Sequence, residues 1–305
     1  MAERETGLPS VADRAGYLLY KVFSSLVAVL PRKFVLAAGR GLGHLTFWLD
    51  GRHRTIALDN LGQALGATWP AAERRRIARR SFMNFVQSVF DSLKTARWSR
   101  EKLLSFMDIE GLSHFQAAHS AGRGVLLFTA HFGNWEMIVP PSSLVAPYHV
   151  IARAVDNSLI NTDVVRARTR HGATVINKLG AGRPVFRALG RGETVGILID
   201  QNVLRREAVF VDFFGKPAAT TPALAYFHLR TGAAILPMFC EPTAQKRYRV
   251  RFEAPLEIPL SGRTEDDVLK ITRICTKIIE DNILRDPALW LWVHKRWQSR
   301  PFNER

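Results

Sequence analysis

The feature of this sequence best able to do chemistry is a histidine set five residues ahead of a glutamate at the end of an apolar run. Residues 124–131 read Gly-Val-Leu-Leu-Phe-Thr-Ala-His, and Phe132, Gly133, Asn134, Trp135 and Glu136 follow. The run predicts a buried strand that carries His131 at its carboxyl end. Gly133 permits a tight turn, and a helix is expected to start near Asn134. Glu136 then falls in the first turn of that helix. A carboxylate there can accept the imidazole N–H, fix its tautomer and stabilise the imidazolium formed on proton abstraction. The pair supplies two members of a triad, with a substrate hydroxyl in place of an enzyme nucleophile. About one pair of this spacing is expected by chance among 9 histidines and 27 acids in 305 residues, so spacing alone also fits a capped histidine beside a surface glutamate.

Three further groups accompany it. Asp200, followed by Gln201 and Asn202, ends a second apolar run. An acid at the end of a buried strand is costly without a partner, so Asp200 either faces the same pocket and orients a ligand or a basic side chain, or is simply a turn-forming aspartate. In residues 210–222, aromatics lead through Gly215 and Lys216 to Thr220, Thr221 and Pro222. Either threonine can cap a helix begun by Pro222, and such a terminus near Lys216 suits a phosphate as well as a simple cap. The tail from Trp290 to Arg300 mixes indoles with His294, Lys295, Arg296 and Trp297, which suits headgroup contact or a seal on the core.

The elements that must position these residues follow from the pattern. Short β-rich runs at 125–130, 149–154, 173–177, 194–200 and 233–239 alternate with helical patterns at 159–170, 184–191 and 222–230. That alternation predicts an α/β fold with a largely parallel central sheet flanked by helices on both faces, its ligands bound beyond the carboxyl ends of the strands. A closing helix is expected over 265–284. Upstream, residues 71–94 form an amphipathic helix with Phe82, Phe85, Val86, Val89, Phe90 and Leu93 on one face and five arginines crowded into its first half.

The chain carries 43 Lys plus Arg against 27 Asp plus Glu, a formal charge of +16, which calls for an anionic partner: nucleic acid, anionic lipid or an acidic protein. The start, Met1, Ala2, Glu3, Arg4, Glu5, lacks the basic opening of a secretory signal. Apolar runs at 17–30 and 34–49 are too short or too interrupted by Lys21, Arg40 and His44 to span a bilayer convincingly. They suit a pair of helices lying in a membrane interface, or else ordinary core helices. Residues 1–50 are therefore expected to form a membrane-associated helical extension, and residues 51–305 the catalytic domain. Cys240 and Cys275 are too few for a disulfide framework and lack metal-ligand spacing, which fits a reduced compartment.

Taken in order, these blocks resemble the late (secondary) acyltransferases of lipid A biosynthesis, a bacterial family that also includes phosphatidylinositol mannoside acyltransferases. The resemblance runs from about Tyr17 to Pro301, through Asn60 and Leu61, the block from His131 to Glu136, Asp200 and Gln201, the segment from Phe210 to Thr221, and Trp292 to Arg296. It implies an acyl carrier protein thioester as donor, a membrane glycolipid as acceptor, no cofactor or metal, and a place on the cytoplasmic face of the inner membrane. It also implies His131 as general base with Glu136 as its orienting acid. Arg153, Asp156, Asn157 and Arg168 match a block of acceptor or pocket-lining positions. Asp200, Gln201, Thr220, Thr221 and Arg296 fall in the other matching blocks and are expected at the substrate site, and Asn134 or backbone N–H groups of the turn would stabilise the oxyanion. Ser158 and Asp212 depart from the family pattern, each standing where proline is common.

Three rival readings remain at this point. A nucleic-acid binder accounts for the charge, but no RNA-recognition, zinc or basic-zipper pattern is present. A non-catalytic membrane-binding protein accounts for the apolar start. A phosphoglycerol acyltransferase also uses a histidine–acid pair, yet the Pro-Glu-Gly-Thr-Arg type of block that accompanies it is missing.

Overall fold

The computed structural model describes residues 9–245 and 247–301, so the start read above for a signal lies outside the described residues. Four helices come first: α1 (Val11–Val29), α2 (Arg32–Leu49), α3 (Gly51–Leu65) and α4 (Ala71–Thr95). Then follow α5 (Arg100–Leu104), β1 (Met107–Glu110), α6 (Leu112–Ser120), β2 (Val125–Thr129), a 3₁₀ turn at Trp135–Ile138, α7 (Val139–Ser142), β3 (Tyr148–Ala152), α8 (Ser158–Arg170), β4 (Ala173–Asn177), α9 (Gly182–Gly190) and β5 (Thr194–Leu198). A hairpin of β6 (Val209–Phe213) and β7 (Lys216–Thr220) leads to α10 (Ala223–Thr231), β8 (Ala234–Pro242), β9 (Tyr248–Phe252) and α11 (Thr264–Arg285).

The main sheet has the order β1-β9-β8-β2-β5-β3-β4, parallel throughout except where β9 runs antiparallel to β8. Parallel neighbours need crossovers, and the helices that supply them cover both faces. Along β2 every residue is buried, and alternate side chains enter different cores. Leu126 and Phe128 join the helical side with Leu61, Phe82, Ile271 and Trp290, while Val125 and Leu127 join Phe115, Met137 and Val250. The α/β expectation, the five strands and the helices over 71–94, 159–170, 184–191, 222–230 and 265–284 are all present, with ends shifted by a few residues.

Four strands, β1, β6, β7 and β9, go beyond that reading. β1 and β9 are short and partly exposed, with Arg and Asp on their outer face, so they lack a buried-strand signature. The aromatic segment around Phe213 is a hairpin whose two turn residues, Phe214 and Gly215, both have positive φ (53° and 71°). That pair of conformations makes the turn whose twist matches two antiparallel strands, and Glu280 accepts the Phe214 N–H at 2.5 Å to hold it.

α1 starts with a capping box, Ser10 with Asp13, and leaves Leu18, Leu19, Val22, Leu26 and Val29 exposed. α2 lies directly against α4. Added Cβ atoms at Gly39 and Gly43 would come within 2.9 Å and 2.6 Å of the α4 backbone at Gln87 and Met83, so only glycine allows so close a crossing. Lys94 on α4 donates to the last carbonyls of α1 (Ala28 and Leu30), and Arg32 makes a two-pronged ion pair with buried Asp91. No helix among the described residues is long and apolar enough to cross a membrane.

Candidate active site

The sheet places the site by register. Thr129 of β2 lies beside Leu198 of β5, so His131 and Asp200, each two residues farther on, emerge side by side at the carboxyl edge. Asp200 Oδ1 accepts from His131 Nδ1 at 2.8 Å, and its Oδ2 accepts the His131 backbone N–H at 2.8 Å. The indole of Trp290 donates to the same Oδ2 at 2.8 Å. Burial pushes the Asp200 carboxyl up, but the charge and hydrogen bonds of His131 outweigh it and hold the group well below the usual carboxylate range. Asp200 is therefore ionised, and with Nδ1–H committed to it, Nε2 of His131 is the free basic nitrogen. Nε2 lies 3.2 Å from the Gln201 amide and faces a cavity of about 500 Å³.

This corrects one expectation. The acid that accepts the imidazole N–H is Asp200, not Glu136. Gly133 takes φ +59° and turns the chain, so Glu136 leaves along the 3₁₀ turn toward α8. There it meets Arg168, which donates from Nε and Nη2 at 3.0 and 2.5 Å. Burial opposes the charge on Arg168, and the Glu136 hydrogen bond and charge more than restore it. The ion pair lines the same cavity as His131, so the motif's two ends share a site while serving different partners.

The turn itself is tightly specified. Gly133 donates its N–H to Leu289, Leu291 donates to the His131 carbonyl, and Phe132 bridges to Trp290. A Cβ on Gly133 would lie 1.9 Å from the Cys240 carbonyl oxygen on β8. Gly133→Ala combines that overlap with a disfavoured φ, and we expect it to cost about 3 kcal/mol or more, read as a fall in thermal midpoint and loss of folded yield.

The remaining predicted residues divide. Arg153, Gln201 and Thr221 line the cavity with His131, Glu136 and Arg168. Asp156 stands outside, paired with Arg153 at 2.7 Å. Asn157 caps α8 and donates to Asp13 on α1, a structural post. Asn134 is buried, donating to Tyr248 and accepting from Ser92, and it does not line the cavity. The N–H groups of His131, Phe132 and Gly133 are spent, which removes them as oxyanion donors. Arg296 and Thr220 are also corrected: Arg296 is fully buried and donates to Ala219 and to Thr220 Oγ1, beneath the hairpin. Thr221 accepts from Ala223 at the start of α10, but Lys216 stands at the far end of β7, so the two do not form a phosphate site. The Trp-rich tail seals the core. Trp290 and Trp292 are buried, and Asn60 holds the carbonyls of Trp292 and His294. Trp290's part in the site was not legible in the sequence, since nothing local to it points to Asp200. Cys240 and Cys275 are buried and unpaired.

His294 accepts the Asn202 N–H at 3.0 Å, a role that needs a neutral ring. Burial, with smaller contributions from the Arg296 and His131 charges, pushes it down to about 4 against the pull of Asp200. The unfolded chain binds this proton from its ordinary value of 6.5, and the folded chain resists to about 4. Stability is thus complete above that window and lost as pH falls through it, by roughly 3 kcal/mol at full shift. Urea midpoints should drop on acidification, and His294→Asn should flatten the slope.

Similarity to known proteins agrees with this geometry. The family profile for bacterial lipid A biosynthesis acyltransferases matches residues 9–299. The lipid A biosynthesis palmitoleoyltransferase of Escherichia coli K12 is 26% identical over 277 residues, covering 90% of this chain and 88% of its own length. The lauroyltransferase of the same organism is 24% identical, with 90% and 89% covered. A phosphatidylinositol mannoside acyltransferase of Mycobacterium tuberculosis H37Rv is 28% identical over 247 residues, with 78% and 75% covered. A strand-end histidine held by a buried acid, open on its basic nitrogen to a large cavity, is what an acyltransferase needs, and the chain belongs to the bacterial lipid A biosynthesis acyltransferase family.

Proposed function

We propose that the protein transfers a fatty acyl group from an acyl carrier protein thioester to a hydroxyl of a membrane glycolipid, a lipid A precursor. The single observation that carries the reading is the imidazole of His131, oriented through Nδ1 by ionised Asp200 and facing the cavity through Nε2. In the reaction Nε2 takes the proton of the acceptor hydroxyl as its oxygen attacks the thioester carbonyl. The C–O bond forms, the C–S bond breaks, and the proton passes to the departing thiolate. Asp200 stabilises the imidazolium between those steps without itself taking the proton. Glu136 holds Arg168 beside the cavity, where the guanidinium offsets the charge that develops on the carbonyl oxygen.

The formal charge of +16 suits both an acidic carrier protein and an anionic lipid surface. α1 and α2 expose Leu18, Val22, Leu26, Phe34, Leu45 and Trp48, with Lys33 and Arg40 also exposed. That composition supports residues 1–50 as an interfacial anchor, on the cytoplasmic face of a bacterial inner membrane, with residues 51–305 as the catalytic part. The double variant Val22→Asp, Leu26→Asp is expected to shift the protein from the membrane pellet to the supernatant while circular dichroism stays unchanged.

The test of donor and acceptor is a panel. Labelled acyl carrier protein, acyl coenzyme A and acyl phospholipid are each offered with a lipid A precursor or a phosphatidylinositol mannoside. Fastest labelling of the lipid A precursor from the carrier protein supports the reading. Preference for another donor or acceptor rejects that half of it.

A further inference from the structure

A second charged feature lies at the junction of α1, the end of α4 and the end of α8, outside the His131 cavity. Arg97, Arg100 and Arg170 line an open cleft there. Arg97 and Arg170 also line an adjoining cleft with Lys21, Arg166 and Asp163. Five cations thus meet two carboxylates, Asp163 and Glu101. Asp163 is taken by Lys21 at 3.2 Å and Arg166 at 3.7 Å, and Glu101 is turned to its own backbone N–H and the Ser99 hydroxyl.

The three central arginines are each tethered to a neutral oxygen. Arg97 donates to Ser25 Oγ of α1 at 3.0 Å, Arg100 to Ser143 Oγ at 3.3 Å, and Arg170 to the Ala96 carbonyl at 3.0 Å. A guanidinium has five N–H donors, so each keeps most of its donors while its position is fixed. Capping the end of α4 explains one hydrogen bond of Arg170 and leaves Arg97 and Arg100 unexplained. Three like charges converging on a cleft whose one carboxylate, Glu101, makes no ion pair with any of them repel one another, and an anion with several oxygens relieves that repulsion.

The surroundings name the kind of anion. The adjoining cleft, which shares Arg97 and Arg170 with the first, has Tyr20, Leu93, Ala96, Ala167 and the ion-paired Asp163 in common with a largely apolar chamber of about 230 Å³, and that chamber reaches Trp135, Glu136 and Arg168 beside the catalytic cavity. Ser25, which fixes Arg97, lies on the same helix as exposed Leu18, Leu19, Val22 and Leu26. A ligand filling both regions carries phosphate oxygens on one part and hydrocarbon on the other.

We infer that the Arg97, Arg100 and Arg170 cleft binds the phosphate of a membrane lipid whose hydrocarbon lies along α1 and the adjoining chamber. The three arginines lie outside the His131 cavity, and the inference does not depend on the acyl-transfer reading. It would hold the catalytic cavity at a fixed height over the headgroups.

Vesicle flotation tests it, using phosphatidylcholine with and without about 10 % phosphatidic acid. The triple variant R97Q/R100Q/R170Q is compared with R183Q/R187Q/R273Q, which removes the same charge from exposed positions on α9 and α11. Wild type should bind the phosphatidate vesicles more tightly than plain phosphatidylcholine. The cleft triple should lose that gain by about tenfold or more, and the control triple by less than about twofold, with binding to plain phosphatidylcholine kept in both. Equal losses in the two triples would assign the effect to diffuse charge and overturn the site, as would a cleft triple that keeps the gain. Inorganic phosphate displacing phosphatidate at equal concentration would overturn the lipid assignment. If the triple fails to fold, Arg100→Gln alone, which gives up one bond to Ser143, is expected to lose about threefold. A wild-type protein that gains from phosphatidate yet transfers no acyl group would refute the acyl-transfer reading and leave this one standing.

Discussion

Replacing His131 by alanine is expected to lower acyl transfer by about 10²–10⁴-fold, the range that a positioned general base contributes. The loss should fall on kcat, because Nε2 acts on the hydroxyl proton in the transition state and adds little to ground-state binding. The fold should survive. Asp200 keeps two of its three donors, the backbone N–H of residue 131 and the Trp290 indole, so its burial remains compensated. The imidazole is already partly open to the cavity, and removing it opens no sealed void in the core. Circular dichroism and membrane pelleting near wild type, with transfer lost, is the expected combination.

Asp200→Asn should be nearly as damaging, for a reason that can be read atom by atom. Asp200 accepts three N–H groups with two oxygens. Asparagine offers one acceptor oxygen and an NH₂ that must face a donor. The arrangement that restores hydrogen bonding is a switch of His131 to the other tautomer, so that Nδ1 accepts from the amide. Nε2 would then carry the proton and point it at the substrate, where it cannot act as a base. A loss of about 10²–10⁴-fold in kcat is expected, with some stability lost as well. Glu136→Gln provides the contrast. It keeps one hydrogen bond to Arg168, removes one charge, and leaves the imidazole's own partner in place, so the loss should be several-fold to tens-fold and shared between kcat and KM.

The relation between these two acids shows how far the residues alone reach. His131 and Asp200 are legible as strand-end groups, because each follows a short buried run and an isolated acid there needs a partner. That they pair depends on β2 and β5 being neighbours in register, which is set by the crossovers through β3, β4 and the helices between them and leaves no local trace. The His-x4-Glu spacing invites the opposite pairing. It fails because Gly133 lies in the left-handed region and sends Glu136 toward α8, a contact fixed by tertiary packing.

The same contrast holds for the fold. β8, β2 and β5 at the centre of the sheet carry continuous apolar runs that burial on both faces explains, and these three are present together with the two less buried strands expected beside them, β3 and β4. β1 and β9, with charged outer faces, and the Phe214–Gly215 hairpin lack that signature. The C-terminal tryptophans read equally well as membrane anchors or core, because an indole flanked by cations suits both places. Only the docking of residues 287–292 against β2's end and α4 decides for the core. That docking makes Trp290 a donor to Asp200 and ties the end of the chain to the site.

The central claim is that His131, held by Asp200, deprotonates a glycolipid hydroxyl for acyl transfer. Its most direct test is mass-spectrometric detection of one added acyl chain on a purified lipid A precursor, with acyl carrier protein thioester as donor, for wild type and His131→Ala side by side. The account predicts the added chain with wild type and its near absence with the folded variant. Equal addition by both proteins would contradict it.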